Sequence, residues 1–295
     1  MMKKKSIPFI IVIILIGIFL ASQKQQENII ESNQGNIFSS TTIYENGWSA
    51  PIKTEFSDSG WEDSYYISRN GNTIYFFYHP GSDLITNLKG AMQIQLDGRM
   101  YYSNYPFIEK HLLAPSNDDF VTEAGPYISQ SGDLYYHRNF PPGNEPEKIV
   151  KGEKTLDLGT GNKETNPHYC DRLDELYFDA GDQDILVYKD GKATMLPEPI
   201  NIPDKQDFQP FLTDDCQTMY FTSNRDSDFG IPAIYKSHRL GELEWSKPEL
   251  FITNPDGVGE FSMSSDGKRL AFVQISRTNS GGYNADLFYS ENKKN

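Results

Sequence analysis

The 295-residue chain carries 41 acidic against 27 basic residues, a formal charge of −14, with 37% hydrophobic and 13% aromatic residues. That charge excludes nucleic-acid binding, which needs Lys and Arg to displace phosphate counterions. The length and aromatic content suit one large all-β domain, because flat rings pack well on a pleated, half-buried surface.

Lys3, Lys4 and Lys5 precede an apolar run from Ile7 to Ala21, and polar residues begin at Ser22. The run is long for a signal peptide and short for a membrane span of about 20 residues. Residues 1–22 therefore read as a signal peptide or an N-terminal membrane anchor. Either one exports the bulk of the chain, to the periplasm or the cell exterior, with membrane contact through residues 7–21 alone. Residues 23–42 are rich in Gln, Asn and Ser and read as a flexible linker.

Over residues 43–292 a short phrase recurs: a turn, an aliphatic residue, then aromatics. It stands as Ser68-Arg-Asn-Gly-Asn-Thr-Ile-Tyr-Phe76 and as Ser129-Gln-Ser-Gly-Asp-Leu-Tyr-Tyr136. It returns as Cys170-Asp-Arg-Leu-Asp-Glu-Leu-Tyr-Phe178, Thr213-Asp-Asp-Cys-Gln-Thr-Met-Tyr-Phe221 and Ser264-Ser-Asp-Gly-Lys-Arg-Leu-Ala-Phe272. The aligned aliphatic residues Ile74, Leu134, Leu176, Met219 and Leu270 lie 60, 42, 43 and 51 residues apart. Such a period signifies stacked units, none able to bury its apolar face alone.

The fourth copy shows the grammar. Gln209-Pro-Phe-Leu212 is a first strand, Asp214 to Gln217 a hairpin and Thr218 to Thr222 a second strand. Ala233 to Ser237 is a third, and Trp245-Ser-Lys-Pro248 introduces a fourth. The expected fold is all-β: a five-bladed β-propeller of four-stranded antiparallel blades. Asp97-Gly-Arg-Met-Tyr-Tyr102 partly echoes the repeat and makes six blades the alternative; as a third strand of the first blade it leaves five. The domain begins with Gly47-Trp-Ser-Ala-Pro51, a lead-in to a fourth strand, and ends after Ala285-Asp-Leu-Phe-Tyr-Ser290, a third. The N-terminal strand is therefore expected to complete the last blade and close the ring. Trp48 and Trp245 recur in the repeat as inter-blade packing. Cys170 and Cys216 occupy different positions of the repeat and are expected to be two buried thiols, with a disulfide, which export permits, as the alternative.

The last copy, together with Met219-Tyr-Phe-Thr-Ser-Asn-Arg225, Ile234-Tyr235 and Trp245-Ser-Lys-Pro248, resembles the TolB-type, WD40-like β-propeller repeats of bacterial envelope proteins. The resemblance implies a propeller in the cell envelope, commonly a platform for an envelope protein or a cell-wall or carbohydrate ligand. TolB itself carries a further α/β domain, which this chain has no room for, so its particular role is not carried over.

Twelve positions before the aligned aliphatic residue stand Glu62, Glu164 and Asp207, with Glu123 if copy two is one residue shorter in its hairpin. Glu260 lies nearby in the fifth copy. These acids are expected to ring one channel mouth, where like charges raise one another's pKa or recruit a cation. Trp61 beside Glu62 is the exposed aromatic expected to stack on a sugar or peptide. The same acids admit a second class, a carbohydrate-active, glycosidase-like enzyme using two carboxylates across a sugar. Asn224, Asp226 and Asp228 alternate as in calcium loops but lack the distant glutamate of an EF-hand. Calcium is the one cofactor they suggest. The five histidines have no ligand spacing, and His168 is placed to face the channel. Gly-x-Ser-x-Gly, phosphate-binding glycine and His-Glu-x-x-His motifs are absent from the sequence.

Overall fold

A computed structural model describes residues 41–58, 60–79, 99–113, 123–138, 146–181, 183–277 and 283–293. The leader and anchor reading of residues 1–22, and the linker up to residue 40, lie outside the described residues. Among the described residues no helix is long and apolar enough to cross a membrane.

Two short strands come first, β1 (Thr42–Ile43) and β2 (Ile52–Lys53). The first blade contains β3 (Trp61–Ile67), β4 (Thr73–His79), β5 (Arg99–Asn104) and β6 (His111–Leu112). The second contains β7 (Glu123–Ile128), β8 (Leu134–Arg138), β9 (Lys148–Lys151) and β10 (Lys154–Thr155). The third runs through β11 (Glu164–Cys170), β12 (Glu175–Ala180), β13 (Asp184–Lys189) and β14 (Lys192–Met195). The fourth has β15 (Asp207–Leu212), β16 (Thr218–Ser223), β17 (Ala233–His238) and β18 (Glu249–Thr253). The fifth has β19 (Val258–Met263), β20 (Arg269–Arg277) and β21 (Tyr283–Glu291). These are five antiparallel sheets in a ring, a five-bladed propeller. Arg99–Asn104 is the third strand of the first blade, so the partial echo beginning at Asp97 starts no sixth blade.

Closure takes the expected route. β2 pairs with β21, Ile52 opposite Tyr289 and Lys53 opposite Phe288, and supplies the fourth strand of the last blade. Thr54 and Ser57 continue the seam: Thr54 N–H reaches Leu287 O at 3.0 Å, and Leu287 N–H reaches Ser57 Oγ at 3.2 Å. β1 adds something the repeat pattern did not disclose. It pairs with β18 as a fifth strand on the fourth blade, so the N-terminal segment bridges two blades before it closes the ring. A paired edge cannot recruit another chain, which is the hazard of an open array.

The two cysteines correct an expectation. Cys170 ends β11, Cys216 sits in the β15–β16 hairpin, and the two form a disulfide with Cα atoms 6.1 Å apart. Different repeat positions misled because adjacent blades are rotated copies: the end of one first strand abuts the neighbouring hairpin. The bond lies in an apolar seam between the third and fourth blades with Tyr177, Met219 and Trp245. Trp245 meets Tyr177 edge-on at 6.4 Å and lies under the Arg239 guanidinium at 4.7 Å, as inter-blade packing requires.

Crosslinking residues 46 apart restricts the unfolded chain. Replacing both cysteines by serine should lower the unfolding free energy by about 2–4 kcal/mol. Urea denaturation with and without reductant measures it, and only the native chain should respond to reductant. A second expectation concerns the seam: removing residues 1–56 should expose β21 and cause aggregation, measured by light scattering, whereas removing residues 1–40 should not.

Candidate functional site: the central channel

Every innermost strand is interrupted at the same place. The pairing shifts between Asp63 and Tyr66, Ala124 and Tyr127, Thr165 and His168, Phe208 and Phe211, and Gly259 and Ser262. Two residues there oppose one on the second strand, which is a β-bulge. The first bulge residue is left-handed in all five blades: Ser64 (φ 52°), Gly125 (64°), Asn166 (50°), Gln209 (56°) and Glu260 (59°). Three blades place a proline directly after it, Pro126, Pro167 and Pro210, where no ladder N–H is needed.

The bulge turns a backbone N–H toward the preceding blade. Asn166 N–H donates to His137 Nδ1 at 3.3 Å, Gln209 N–H to Asp179 Oδ1 at 2.8 Å and Glu260 N–H to Thr222 Oγ1 at 3.0 Å. His137, Asp179 and Thr222 occupy equivalent places on the second strands. In the fifth blade that place is Val273, which cannot accept. There the Glu260 carboxylate takes the Ser64 N–H itself, and its other oxygen accepts from Gln209 Nε2 at 2.6 Å.

One step deeper, aromatic side chains narrow the channel. Tyr66 and Tyr127 meet at 5.0 Å, Tyr127 and His168 at 4.2 Å, His168 and Phe211 at 4.9 Å, and Phe211 and Phe261 at 5.5 Å. Three of these residues also bond the next blade, Tyr66 OH to Ile128 O (3.1 Å), Tyr127 OH to Tyr169 O (2.7 Å) and Leu212 N–H to His168 Nε2 (3.2 Å), and in the fifth blade Ser262 does so by accepting the Ile67 N–H at Oγ (3.0 Å). Beyond this floor Arg69 of the first blade clasps Asp214 of the fourth at 2.5 Å, and Gln130 Nε2 of the second reaches Asp214 O at 3.0 Å. The channel is blind at its hairpin end. Above the floor lies a cavity of about 50 Å³, lined by the bulge residues and the two after each. That is room for about three or four waters.

Burial decides the protonation states. It pushes the Asp179 carboxyl up to about 7 against hydrogen bonds from Asn166, Gln209 and Thr165. It raises Glu260 well above the carboxylate range, with the charges of Asp63 and Asp179 adding to the effect, while the Ser64 N–H opposes it. It lowers His137 to about 4 and His168 to about 3, so both imidazoles are neutral.

Of the residues singled out from the sequence, Glu260 and His168 line this cavity. Glu62, Glu123, Glu164 and Asp207 do occupy equivalent places, two residues before the bulge, but each is buried against a basic side chain, and none is among the residues lining the cavity. Glu62 lies 3.7 Å from Lys110, Glu123 2.5 Å from Arg138, Glu164 3.1 Å from Lys148 and Asp207 2.6 Å from Arg225. The expected exposure of Trp61 is corrected: it is 8% exposed, and its indole N–H donates to Asp63 at 2.6 Å. In the 224–230 loop, Asn224 holds Gln206 through both ends of its amide and Asp226 accepts from Tyr235 OH at 2.9 Å. Among the described residues no three His, Cys, Asp or Glu converge as metal ligands. The residues that sequence reasoning missed are Asp63, Tyr65, Asn166, Asp179 and Gln209. Proline recurring inside three first strands was the available signal for the bulge that gathers them.

No family model and no curated protein matches this chain. Among solved structures, the catalytic domain of the GH62 α-L-arabinofuranosidase of Coprinopsis cinerea is similar with a TM-score of 0.50, at 10% identity, over 83% of this chain and 96% of that one. A putative TolB from Agrobacterium tumefaciens is similar at 0.45 and 13% identity, over 86% and 91%. A protein of unknown function from Dyadobacter fermentans DSM 18053 is similar at 0.48 and 9% identity, over 85% and 99%. At these identities the likeness is one of fold.

The buried groups dictate an unusual pH response. Glu62 keeps its proton in the fold up to about pH 8, through burial that Lys110 only partly offsets, while the unfolded chain releases it near 4.5. Glu62 and Asp179 therefore favour the fold at low pH and lose that contribution as pH rises through their folded values. His137 and His168 oppose them below 6.5, where the unfolded imidazoles gain protons first. Above 6.5 only the acids act, so the unfolding free energy should fall between pH 6.5 and 8. Glu62→Gln should remove on the order of 1–2 kcal/mol of that fall, measured by urea titrations at the two pH values.

Proposed function

We propose that this chain is an exported or membrane-tethered binding propeller of the cell envelope, which holds an envelope protein or a cell-wall carbohydrate at the open mouth of its central channel. One observation carries the reading: the acids that would serve catalysis are already committed. Glu62, Glu123, Glu164 and Asp207 are buried against cations, Asp179 accepts from three donors, and both oxygens of Glu260 accept hydrogen bonds. Glycoside hydrolysis needs two carboxyl groups free to face a sugar from opposite sides. A cavity of about 50 Å³ is also far below the few hundred Å³ of ordinary ligand pockets, so a large ligand rests on the mouth rather than inside it. The resemblance to envelope propeller repeats and the apolar run of residues 7–21 support the location.

A second reading has one observation in its favour. Burial raises the Glu260 carboxyl well above the carboxylate range, the direction a general acid requires. The likeness in fold to an arabinofuranosidase domain makes carbohydrate chemistry the natural form of that reading.

Turnover and binding separate the two. The chain and its Glu260→Gln variant would be offered aryl arabinofuranosides and xylosides, and in parallel purified cell wall and envelope extracts. We expect no hydrolysis above buffer, retention of the chain on an envelope fraction, and retention weakened by about three- to tenfold in Glu260→Gln. Hydrolysis abolished by Glu260→Gln establishes the enzyme instead, and retention indifferent to that variant removes the channel from the binding reading.

A further inference from the structure

We infer that the blind channel receives the end of a lysine side chain from a partner polypeptide, its primary ammonium seated between the Tyr65 hydroxyl and the Glu260 carboxyl, which releases its proton to solvent as the ammonium enters. This rests on the binding reading and names the group that the channel recognises.

The Tyr65 hydroxyl points to a missing partner. Tyr65 is 7% exposed, lines the cavity, and its oxygen has no well-formed hydrogen bond. The Ser262 backbone is near enough to ease its ionisation but not placed to satisfy it. A buried hydroxyl left unpaired is costly, and a donor entering the cavity offsets that cost. Charge selects which donor. Glu260 lines the cavity, and Asp63 and Asp179 lie close enough to act on it electrostatically. Among the described residues the lining contains no Lys or Arg, and its one imidazole, His168, is neutral. An entering ammonium therefore meets acids and no competing cation, and its charge stabilises Glu260 as the carboxylate.

Size and shape narrow the choice. The space admits an ammonium and a few methylenes, whereas a pyranose ring is too large. The floor is built from Tyr66, Tyr127 and Phe211 with Phe261 beside them, surfaces that attract a cation and accept an alkyl stem. A guanidinium seeks a carboxylate with an open two-oxygen edge. Each Glu260 oxygen already accepts an N–H, from Ser64 or Gln209, and the Tyr65 backbone N–H also acts on the carboxyl. A compact ammonium, with three rotatable donors, suits the lone pairs that are left and the Tyr65 oxygen.

The test is an amide-resolved NMR titration of the chain with methylammonium, with tetramethylammonium, sodium and calcium as controls at constant ionic strength. Methylammonium should shift the Ser64, Asn166, Gln209 and Glu260 amides saturably, and the controls should not. Glu260→Gln, which keeps an acceptor for the Ser64 N–H, should weaken binding by about tenfold, and Tyr65→Phe by about threefold. Nα-acetyl-lysinamide should compete with methylammonium, and glucosamine should not. Calcium displacing methylammonium, tetramethylammonium binding equally well, or Glu260→Gln binding undiminished would each overturn the inference. If methylammonium leaves the channel amides unmoved while an envelope fraction still retains the chain through Glu260, the lysine assignment fails and the binding reading stands.

Discussion

The channel depends on one left-handed residue per blade. At the bulge of each innermost strand, φ between 50° and 64° rotates a peptide out of the ladder, so that its N–H can reach the preceding blade. At three junctions the second strand of that blade presents an acceptor, and so ties itself to its neighbour near the axis. The strain is small for Gly125 and Asn166, which tolerate this conformation, and greater for Ser64, Gln209 and Glu260. Those three are held by what surrounds them. Gln209 and Glu260 also exchange two hydrogen bonds with each other, Gln209 Nε2 to Glu260 Oε1 and Glu260 N–H to Gln209 Oε1.

The propeller itself was legible because its signals are local. Turn, aliphatic residue and aromatic pair lie within nine residues, and side chains of the hairpin itself bond its turn. In the last copy Ser264 Oγ donates to Asp266 and accepts from the Arg269 N–H, and Gly267 takes a positive φ of 66°. The complementary ends, Gly47 to Pro51 and Ala285 to Ser290, announced closure for the same reason. The site was less legible because a bulge alters parity. Side chains alternate along a strand, so one inserted residue sends the next to the opposite face. Counting back from Ile74 or Met219 located Glu62 and Asp207 correctly in register, but assigned them to the wrong side of the bulge. The register-equivalent acids were a real pattern with a different meaning: four buried acid–base pairs, three within a blade and one, Glu164 with Lys148, between the third blade and the second. Trp61 and the disulfide failed for a related cause, since burial and the distance between blades are properties of the assembled ring.

Those four pairs show how a chain of charge −14 arranges its acids. The pairs with arginine are the most completely bonded. Arg138 reaches Glu123 through Nε and Nη2, and Arg225 touches Asp207 and also two backbone carbonyls, those of Pro199 and Ile200. Glu62 and Glu164, opposite lysines, each keep one buried oxygen without a partner. A compact ammonium satisfies fewer acceptors than a planar fork does, and at Glu62 a retained proton makes up the difference.

The fifth blade departs from the repeat, and the departure gives the channel its charge. Where the other blades carry a carboxylate two residues before the bulge, it has Val258, and its acid stands at the bulge itself as Glu260. The register forces the exchange. Val273 cannot accept the N–H of the next blade, so the junction between the last blade and the first needs an acceptor from elsewhere. A carboxylate at the bulge is well placed to supply it, because the bulge directs that side chain toward the axis. The residue that completes the ring's hydrogen bonding therefore also lines the cavity as an acid. Symmetry builds the channel, and the repair of the junction between its last and first blades gives the channel a chemical preference.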